Sequence, residues 1–95
     1  MNPATARRNG REAERTALLF PMKIVRHTPT GEKYDSGFCI DISLTGAAFL
    51  SEAELNLADI VELVSGPENR PVLRRYAWLQ YRCGRRYGAR FIRPD

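Results

Sequence analysis

The sequence predicts an all-β fold, a small six-stranded antiparallel β-barrel preceded by a flexible basic N-terminal arm. Three observations lead to this prediction. The chain has 95 residues, which is enough for one modest core and not for two. From residue 17 onward, apolar residues recur with the period of two that is typical of strands. Glycine and proline interrupt this pattern at short intervals, and such short strands indicate a small antiparallel barrel or sandwich that is closed to remove exposed sheet edges.

The arm is predicted to comprise residues 1–16 and the barrel residues 17–95. Pro3, Asn9 and Gly10 interrupt any helical pattern in the arm, and apolar side chains are almost absent from it. We therefore expect the arm to be flexible when no ligand is bound.

The first strand is predicted at about residues 17–27, with its even-numbered residues facing the core and Pro21 at an edge or a bulge. Four strands follow the second one along the chain. They are predicted at residues 47–51, 60–64, 72–82 and 87–92. Tyr76 and Trp78 share one face of the fifth strand, where we expect packing against the barrel wall rather than an exposed stacking surface.

The second strand is predicted to run through residues 37–42. Its core-facing residues are expected to be Phe38, Ile40 and Ile42. Residues two apart on a strand share a face, so this alternation places Asp41 and Ser43 together on the outer surface. Two neighbouring polar groups on an outer face are candidates for contacting a ligand.

Charge is distributed unevenly along the chain. Residues 1–26 carry six positive and two negative side chains, residues 27–69 carry one and eight, and residues 70–95 carry eight and one. The three segments therefore have net charges of +4, −7 and +7. If the two basic ends meet in the fold, they form one cationic surface, and the expected partner is an anion.

Several classes of protein are disfavoured by the composition. The longest apolar run, residues 17–22, is far shorter than the ~20 residues of a membrane span, and no secretory signal is evident, so we expect a cytoplasmic protein. Cys39 and Cys83 are expected to be reduced and partly buried. His27 stands alone without metal-ligand spacing, and no catalytic arrangement is present. We therefore expect neither an enzyme nor a cofactor.

Residues 41–46 read Asp-Ile-Ser-Leu-Thr-Gly, an Asp/Asn-x-Ser-x-x-Gly motif placed where a strand meets a turn. Residues 11–15 form an Arg-x-x-x-Arg segment, and residues 88–91 form a Gly-x-x-Phe strand. With these motifs the chain resembles the PilZ family over about residues 7–92. Members of that family bind cyclic di-GMP. The six-residue motif carries most of the weight, because arginine pairs at this spacing are common in a chain with thirteen arginines.

The resemblance implies a set of ligand-binding residues. Arg11 and Arg15 would contact phosphate and guanine, Asp41 and Ser43 would contact a guanine base, and Gly46 would permit the turn. The chemistry is suited to guanine, since its O6 and N7 accept from a guanidinium and its N1 and N2 donate to a carboxylate.

A second arginine pair also fits the first motif, because Arg7 and Arg11 have the same spacing as Arg11 and Arg15. We prefer the later pair because Arg15 directly precedes the first predicted strand, where the resemblance places the second arginine. Arg7 and Arg8 are then auxiliary.

The predicted function is that of a cyclic di-GMP receptor, which transmits ligand binding to a protein partner as its arm becomes ordered. Whether it binds one ligand or an intercalated pair is open. Two alternatives stay open as well. One is a PilZ-like protein-interaction module with little nucleotide binding. The other is a nucleic-acid-binding barrel, suggested by the isoelectric point of about 9.5 and disfavoured by the presence of only two lysines.

Overall fold

The structure is a computed structural model, and it describes residues 19–67, 69 and 71–93. They form six antiparallel strands: β1 (Phe20–Thr28), β2 (Gly31–Ile42), β3 (Gly46–Leu50), β4 (Ile60–Ser65), β5 (Leu73–Cys83) and β6 (Arg86–Phe91). The strands close into a barrel in the order β1-β2-β3-β6-β5-β4. The predicted fold class is thereby confirmed. The predicted arm, residues 1–16, lies outside the described residues.

The barrel consists of two three-stranded meanders joined along two seams. β1, β2 and β3 follow one another in the sheet, as do β4, β5 and β6. One seam pairs all five residues of β3 with β6, from Gly46 opposite Arg90 to Leu50 opposite Arg86. The other pairs only residues 23–25 of β1 with residues 62–64 of β4. The β3–β6 seam is therefore the longer of the two closures.

The core lies inside this barrel and is built from the inward residues of all six strands. Its largest fully buried side chains are Tyr87, Phe49, Ile24, Leu63, Leu79 and Val61. The rings of Phe49 and Tyr87 stack across the longer seam with their centroids 5.3 Å apart. In the part of the chain that the structure describes, no helix is long and apolar enough to span a bilayer.

The first strand follows its predicted alternation but begins later than predicted. Met22 and Ile24 are buried in the core, as expected for even-numbered residues. The strand starts at Phe20, and Leu19 before it is largely exposed. Pro21 lies outside the short pairing with β4, so its missing N–H interrupts no bond of that seam.

The alternation predicted for the second strand is wrong at two of its three positions. Cys39 is fully buried in the core, whereas Phe38 is half exposed. Ile40, expected to face the core, is not part of it. The cause is a β-bulge between Cys39 and Asp41, which breaks the register with β3. Beyond this bulge Ile42 packs against the core as predicted.

The two cysteines are free, as predicted for reduced thiols, but they differ in burial. Cys39 is buried, and this burial raises the pKa of its thiol. Cys83 is exposed at the end of β5, because the tight Gly84-Arg85 turn places it on the surface. The expectation that both are partly buried is therefore wrong.

Aromatic residues on β5 also differ from expectation. Tyr76 and Trp78 are each 49% exposed and lie on the outer face, so neither is buried in the barrel wall. Tyr81, which follows a bulge in the same strand, is exposed to a similar degree. The outer face of β5 therefore carries a row of accessible aromatic side chains.

Tyr87 anchors the connection between β3 and β4 to the core. Its hydroxyl group donates a hydrogen bond to the carbonyl oxygen of Ala53 at 2.7 Å and accepts one from the backbone N–H of Leu55 at 3.1 Å. Both backbone groups belong to an irregular segment that has no strand partner. One buried hydroxyl thus satisfies two backbone groups of this connection.

We expect Tyr87→Phe to lower the free energy of unfolding by about 1 to 3 kcal/mol, because it leaves a buried N–H and a carbonyl group without their partner. Urea denaturation followed by circular dichroism measures the change. Tyr76→Phe is the matched control, since it removes the hydroxyl of a half-exposed tyrosine and should change stability by less than about 0.5 kcal/mol. Equal effects of the two substitutions would contradict the anchoring role.

Candidate functional site

The predicted motif lies at one end of a row of residues that crosses four strands. Asp41 of β2 is paired with Ala48 of β3, which is paired with Gly88 of β6. Gly88 is paired in turn with Tyr81 of β5. Directly paired residues of antiparallel strands place their side chains on the same face. Asp41 and Tyr81 therefore face the same outer surface, with two small residues between them.

A second row runs parallel to the first. Gly46 of β3 is paired with Arg90 of β6, and Arg90 with Trp78 of β5. Ile60 of β4 is paired with Trp78 and completes the row. Since Arg90 lies two residues from Gly88 on one strand, the two rows are neighbours about 7 Å apart.

Between the rows lies an open depression with a volume of about 330 Å³. It is lined by Asp41, Ser43, Thr45, Gly46, Ala47, Ala48, Gln80, Tyr81, Gly88, Ala89 and Arg90. Gly46 and Ala48 have small side chains on this surface, so they leave room above the sheet. The ring of Tyr81 packs directly over Gly88, where any Cβ would collide with it. The depression thus has a floor of small residues at Gly46 and Ala48 and an aromatic wall at Tyr81.

Asp41 provides the acidic group of the depression. Its side chain is partly buried, and its Oδ1 atom is shielded from solvent. The bulge that precedes it turns Cys39 inward while Asp41 lies on the outer face. The carboxylate is therefore held at the edge of the depression, where it can accept hydrogen bonds from a planar donor edge.

Ser43 organises the turn that follows β2. Its backbone N–H donates to the carbonyl oxygen of Gly46 at 2.9 Å, and its Oγ accepts from the N–H of Thr45 at 3.2 Å. The hydroxyl also lies 3.3 Å from that of Thr45. A serine with these contacts fixes the shape of the turn, and it keeps its oxygen at the rim of the depression.

Gly46 is required for a different reason than the one predicted. It does not have the positive φ found at Gly31, Gly66 and Gly84, so the turn itself does not demand a glycine. Instead, a Cβ at position 46 would collide with the carbonyl oxygen of Ala89 on β6. The absent side chain allows β3 and β6 to approach each other at the start of their seam.

Four of the eight described arginines are paired with carboxylates. Arg26 pairs with Asp35, Arg74 with Glu62, Arg82 with Glu54, and Arg85 with Glu52. The hydrogen bonds from Arg82 lower the pKa of the Glu54 carboxyl group, and the same bonds raise the pKa of the guanidinium. Arg90 makes no ion pair with any described residue and lines the depression. It is thus a cation available to an anionic ligand.

A larger groove of about 860 Å³ lies elsewhere, against β1, β2 and β4. Its described charged residues are Lys23, Glu32, Glu62 and Arg74. Arg74 is paired there with Glu62 at 3.3 Å, and Lys23 lies over the ring of Tyr34. The groove offers no uncommitted arginine, so it suits an anion less well than the smaller depression does.

The structure brings Asp41, Ser43 and Gly46 together at the depression. The other predicted site residues, Arg7, Arg8, Arg11 and Arg15, lie outside the described residues. Sequence reasoning missed Ala48, Tyr81, Gly88 and Arg90, which approach the motif only through the β3–β6 and β5–β6 pairings. The available signal was Gly88 and Arg90 two residues apart in the last strand, where the glycine makes room for the Tyr81 ring and the arginine supplies charge.

The described strands form a closed six-stranded barrel, and residues of the 41–46 motif line a depression on its outer face. These two features define a class of small β-barrel modules. The sequence matches the family model described as the PilZ domain over residues 7–95. The chain therefore belongs to the PilZ domain family, which in general is a family of cyclic di-GMP receptors.

The fold is shared with a solved structure. The crystal structure of the PilZ domain of CeSA from a cellulose-synthesizing bacterium superposes with a TM-score of 0.66. The two sequences are 18% identical, and the match covers 85% of this chain and 82% of that one. At this identity the likeness concerns the fold alone. No curated protein sequence gives a significant match.

We expect Gly46→Ala to lower the free energy of unfolding by about 1 to 3 kcal/mol, because β3 must move away from β6 to accommodate the new methyl group. Thermal and urea denaturation measure this loss. Leu44→Ala is the control, since Leu44 lies in the same motif and is 92% exposed. A Gly46→Ala protein as stable as the wild type would show that the seam tolerates a side chain there.

Proposed function

We propose that the protein is a cyclic di-GMP receptor and that the depression beside Asp41 is its ligand site. The single observation that carries the proposal is the convergence of Asp41, Ser43 and Gly46 with the uncommitted Arg90 around one depression on the outer face. Membership of the PilZ domain family supports the same ligand. The protein acts by binding and not by catalysis.

In this proposal Asp41 reads the guanine base. Its carboxylate accepts hydrogen bonds from N1 and N2 of guanine, whereas adenine offers no matching pair of donors on that edge. The small residues Gly46 and Ala48 leave space against the sheet for a flat base, beside the Tyr81 ring that covers Gly88. Ser43 and Gly46 hold the turn and the seam that keep the carboxylate at its position.

Arg11 and Arg15 are proposed to bind the phosphates. A guanidinium pairs well with phosphate through two parallel hydrogen bonds. The arm that carries them would become ordered over the barrel when the ligand binds, and a protein partner in the cytoplasm would recognise the new surface. Arg7 and Arg8 would add attraction without fixing the ligand.

We expect purified full-length protein to bind cyclic di-GMP in isothermal titration calorimetry and to bind cyclic di-AMP far more weakly. Asp41→Ala should weaken cyclic di-GMP binding by about tenfold to a hundredfold, because it removes a charged acceptor from a hydrogen-bonded pair. Asp41→Asn should be milder, since one amide oxygen still accepts. Equal affinity of the wild type for the two dinucleotides would mean that Asp41 reads no base.

The same titrations separate the receptor from a nucleic-acid-binding barrel. The half-exposed aromatic residues on β5 could also stack the bases of a single strand. A polyanion contacted at many phosphates loses affinity steeply as salt rises, whereas a ligand with two phosphates responds weakly. Tighter binding of a short oligonucleotide than of cyclic di-GMP, with a steep salt dependence, would favour the nucleic acid.

Arg11→Ala and Arg15→Ala should each weaken cyclic di-GMP binding by roughly tenfold or more, because each removes a charge-assisted hydrogen bond. The thermal midpoint should stay unchanged if both side chains lie outside the core. Arg7→Ala is the control and should have a smaller effect. A damaging Arg7→Ala beside a harmless Arg15→Ala would assign the first motif to the earlier pair.

A further inference from the structure

The strand β2 extends beyond one of its two neighbours in the sheet. Residues 31–39 pair with β1 along their whole length, whereas β3 pairs only with residues 38–42. On the side away from β1, none of the described strands pairs with residues 31–36. Most of these residues are exposed to solvent. Residues 31–36, which we call the open edge, are therefore a sheet edge that the closure of the barrel does not cover.

The backbone groups of the open edge point in defined directions. Residues 29–30 form a two-residue loop that Thr28 and Gly31 close. The closing pair of such a hairpin is hydrogen-bonded, so Gly31 and every second residue after it bond to β1. Even-numbered residues direct their N–H and C=O groups away from β1. The carbonyl oxygen of Ser36 supports this assignment, because it accepts a hydrogen bond from Oγ of Ser51 beyond β3 at 2.8 Å.

Charged side chains determine how a second copy of the chain can pair with the open edge. The edge carries Glu32, Lys33 and Asp35. Neighbouring residues of a strand point to opposite faces, so two copies related by a two-fold axis pair only with one residue opposite itself. A register centred on position 32, 33 or 35 places like charges opposite each other, which is destabilising. A register centred on Tyr34 places Lys33 of each copy opposite Asp35 of the other.

We infer that the open edge is a homodimerisation surface, on which the β2 strands of two copies pair antiparallel about Tyr34. The two barrels then share one continuous sheet, and the interface contains two Lys33–Asp35 pairs. Arg26 holds the Asp35 carboxylate at 2.8 Å, so this partner of Lys33 is fixed in place before the copies meet. The inference goes beyond the proposed function and does not depend on it, since no residue of the depression takes part.

The expected dimer is weak and specific. About five residues of each strand pair, which makes an interface at or below the low end of the size range of roughly 1,200 to 2,000 Å² for stable complexes. Charges on a sheet edge normally prevent contact with other chains. Here they disfavour the other symmetric registers and favour one, so they select a dimer instead of open-ended aggregation.

Sedimentation equilibrium of the full chain without nucleotide tests the inference. We expect the apparent mass to rise from 10.8 kDa toward twice that value as the protein concentration is raised to about 1 mM. Lys33→Glu places a second carboxylate opposite Asp35 in both symmetric contacts and should raise the dimer dissociation constant about tenfold or more. Lys23→Glu is the matched control, since it replaces the other lysine of the chain and lies outside the open edge. It should leave the dissociation constant unchanged.

Cysteine crosslinking tests the register independently of charge. In the Tyr34→Cys variant, the axis brings the two new thiols together at a Cα separation of about 5.5 Å, which a disulfide can span. In the Glu32→Cys variant, the same axis leaves the two positions about 14 Å apart. Both variants carry Cys83→Ser, which removes the exposed native thiol. After mild oxidation, non-reducing electrophoresis should show a linked dimer for Tyr34→Cys and a monomer for Glu32→Cys.

Each of these measurements can overturn the inference without touching the proposed receptor function. A wild type that stays monomeric at about 1 mM overturns it. A Lys33→Glu protein that associates as the wild type does, or equal losses in the two lysine variants, also overturns it. Equal crosslinking at positions 32 and 34 indicates random collisions and overturns it as well. Circular dichroism verifies that every variant is folded, and the crosslinking pair decides if Lys33→Glu is not.

Discussion

The close approach of β3 and β6 is the constraint on which the rest of the structure depends. Each meander is made of neighbouring strands joined by short connections, but the barrel closes only when these two strands meet. At the start of the seam, the carbonyl of Ala89 leaves no space for a side chain at Gly46. The stacked rings of Phe49 and Tyr87 fill the inner side of the same seam. The outer side of this seam carries the small residues that form the floor of the depression. The β3–β6 pairing therefore both closes the barrel and builds the site.

The acidic middle of the chain determines where positive charge is available. Glu52, Glu54 and Glu62 pair with arginines from the basic C-terminal segment. Exposed pairs of this kind contribute little to stability. Their effect is instead to neutralise arginines away from the depression, while Arg90 stays uncommitted beside it among the described residues. Arg90 is therefore one of four described arginines without an ion pair to a described carboxylate, and it is the one that lines the depression.

The sequence predicted the class of fold and the motif, because both depend on local patterns. Alternation correctly placed Met22 and Ile24 in the core, and the spacing of residues 41–46 located the acidic edge of the depression. The bulge after Cys39 was not predictable, since Ile40, the residue it displaces from the core, is as apolar as Ile42, which packs against it. Tyr81, Gly88 and Arg90 were missed for another reason. Their position opposite the motif depends on the register of a seam between strands distant in sequence, and no local pattern encodes that register.

A ligand that contacts both meanders would stabilise the barrel, in addition to any effect on the proposed protein partner. Asp41 belongs to the first meander, and Arg90 belongs to the second. Their groups face the same depression only while β3 and β6 are paired, so a ligand held by both binds the closed barrel and not the opened one. By linkage, such a ligand stabilises the closed seam by RT ln(1 + L/Kd), where L is the free ligand concentration, so the stabilisation rises with that concentration. Opening of the seam would in turn release the ligand. The contact that demands a glycine at position 46 therefore connects the stability of the fold to the occupancy of the site.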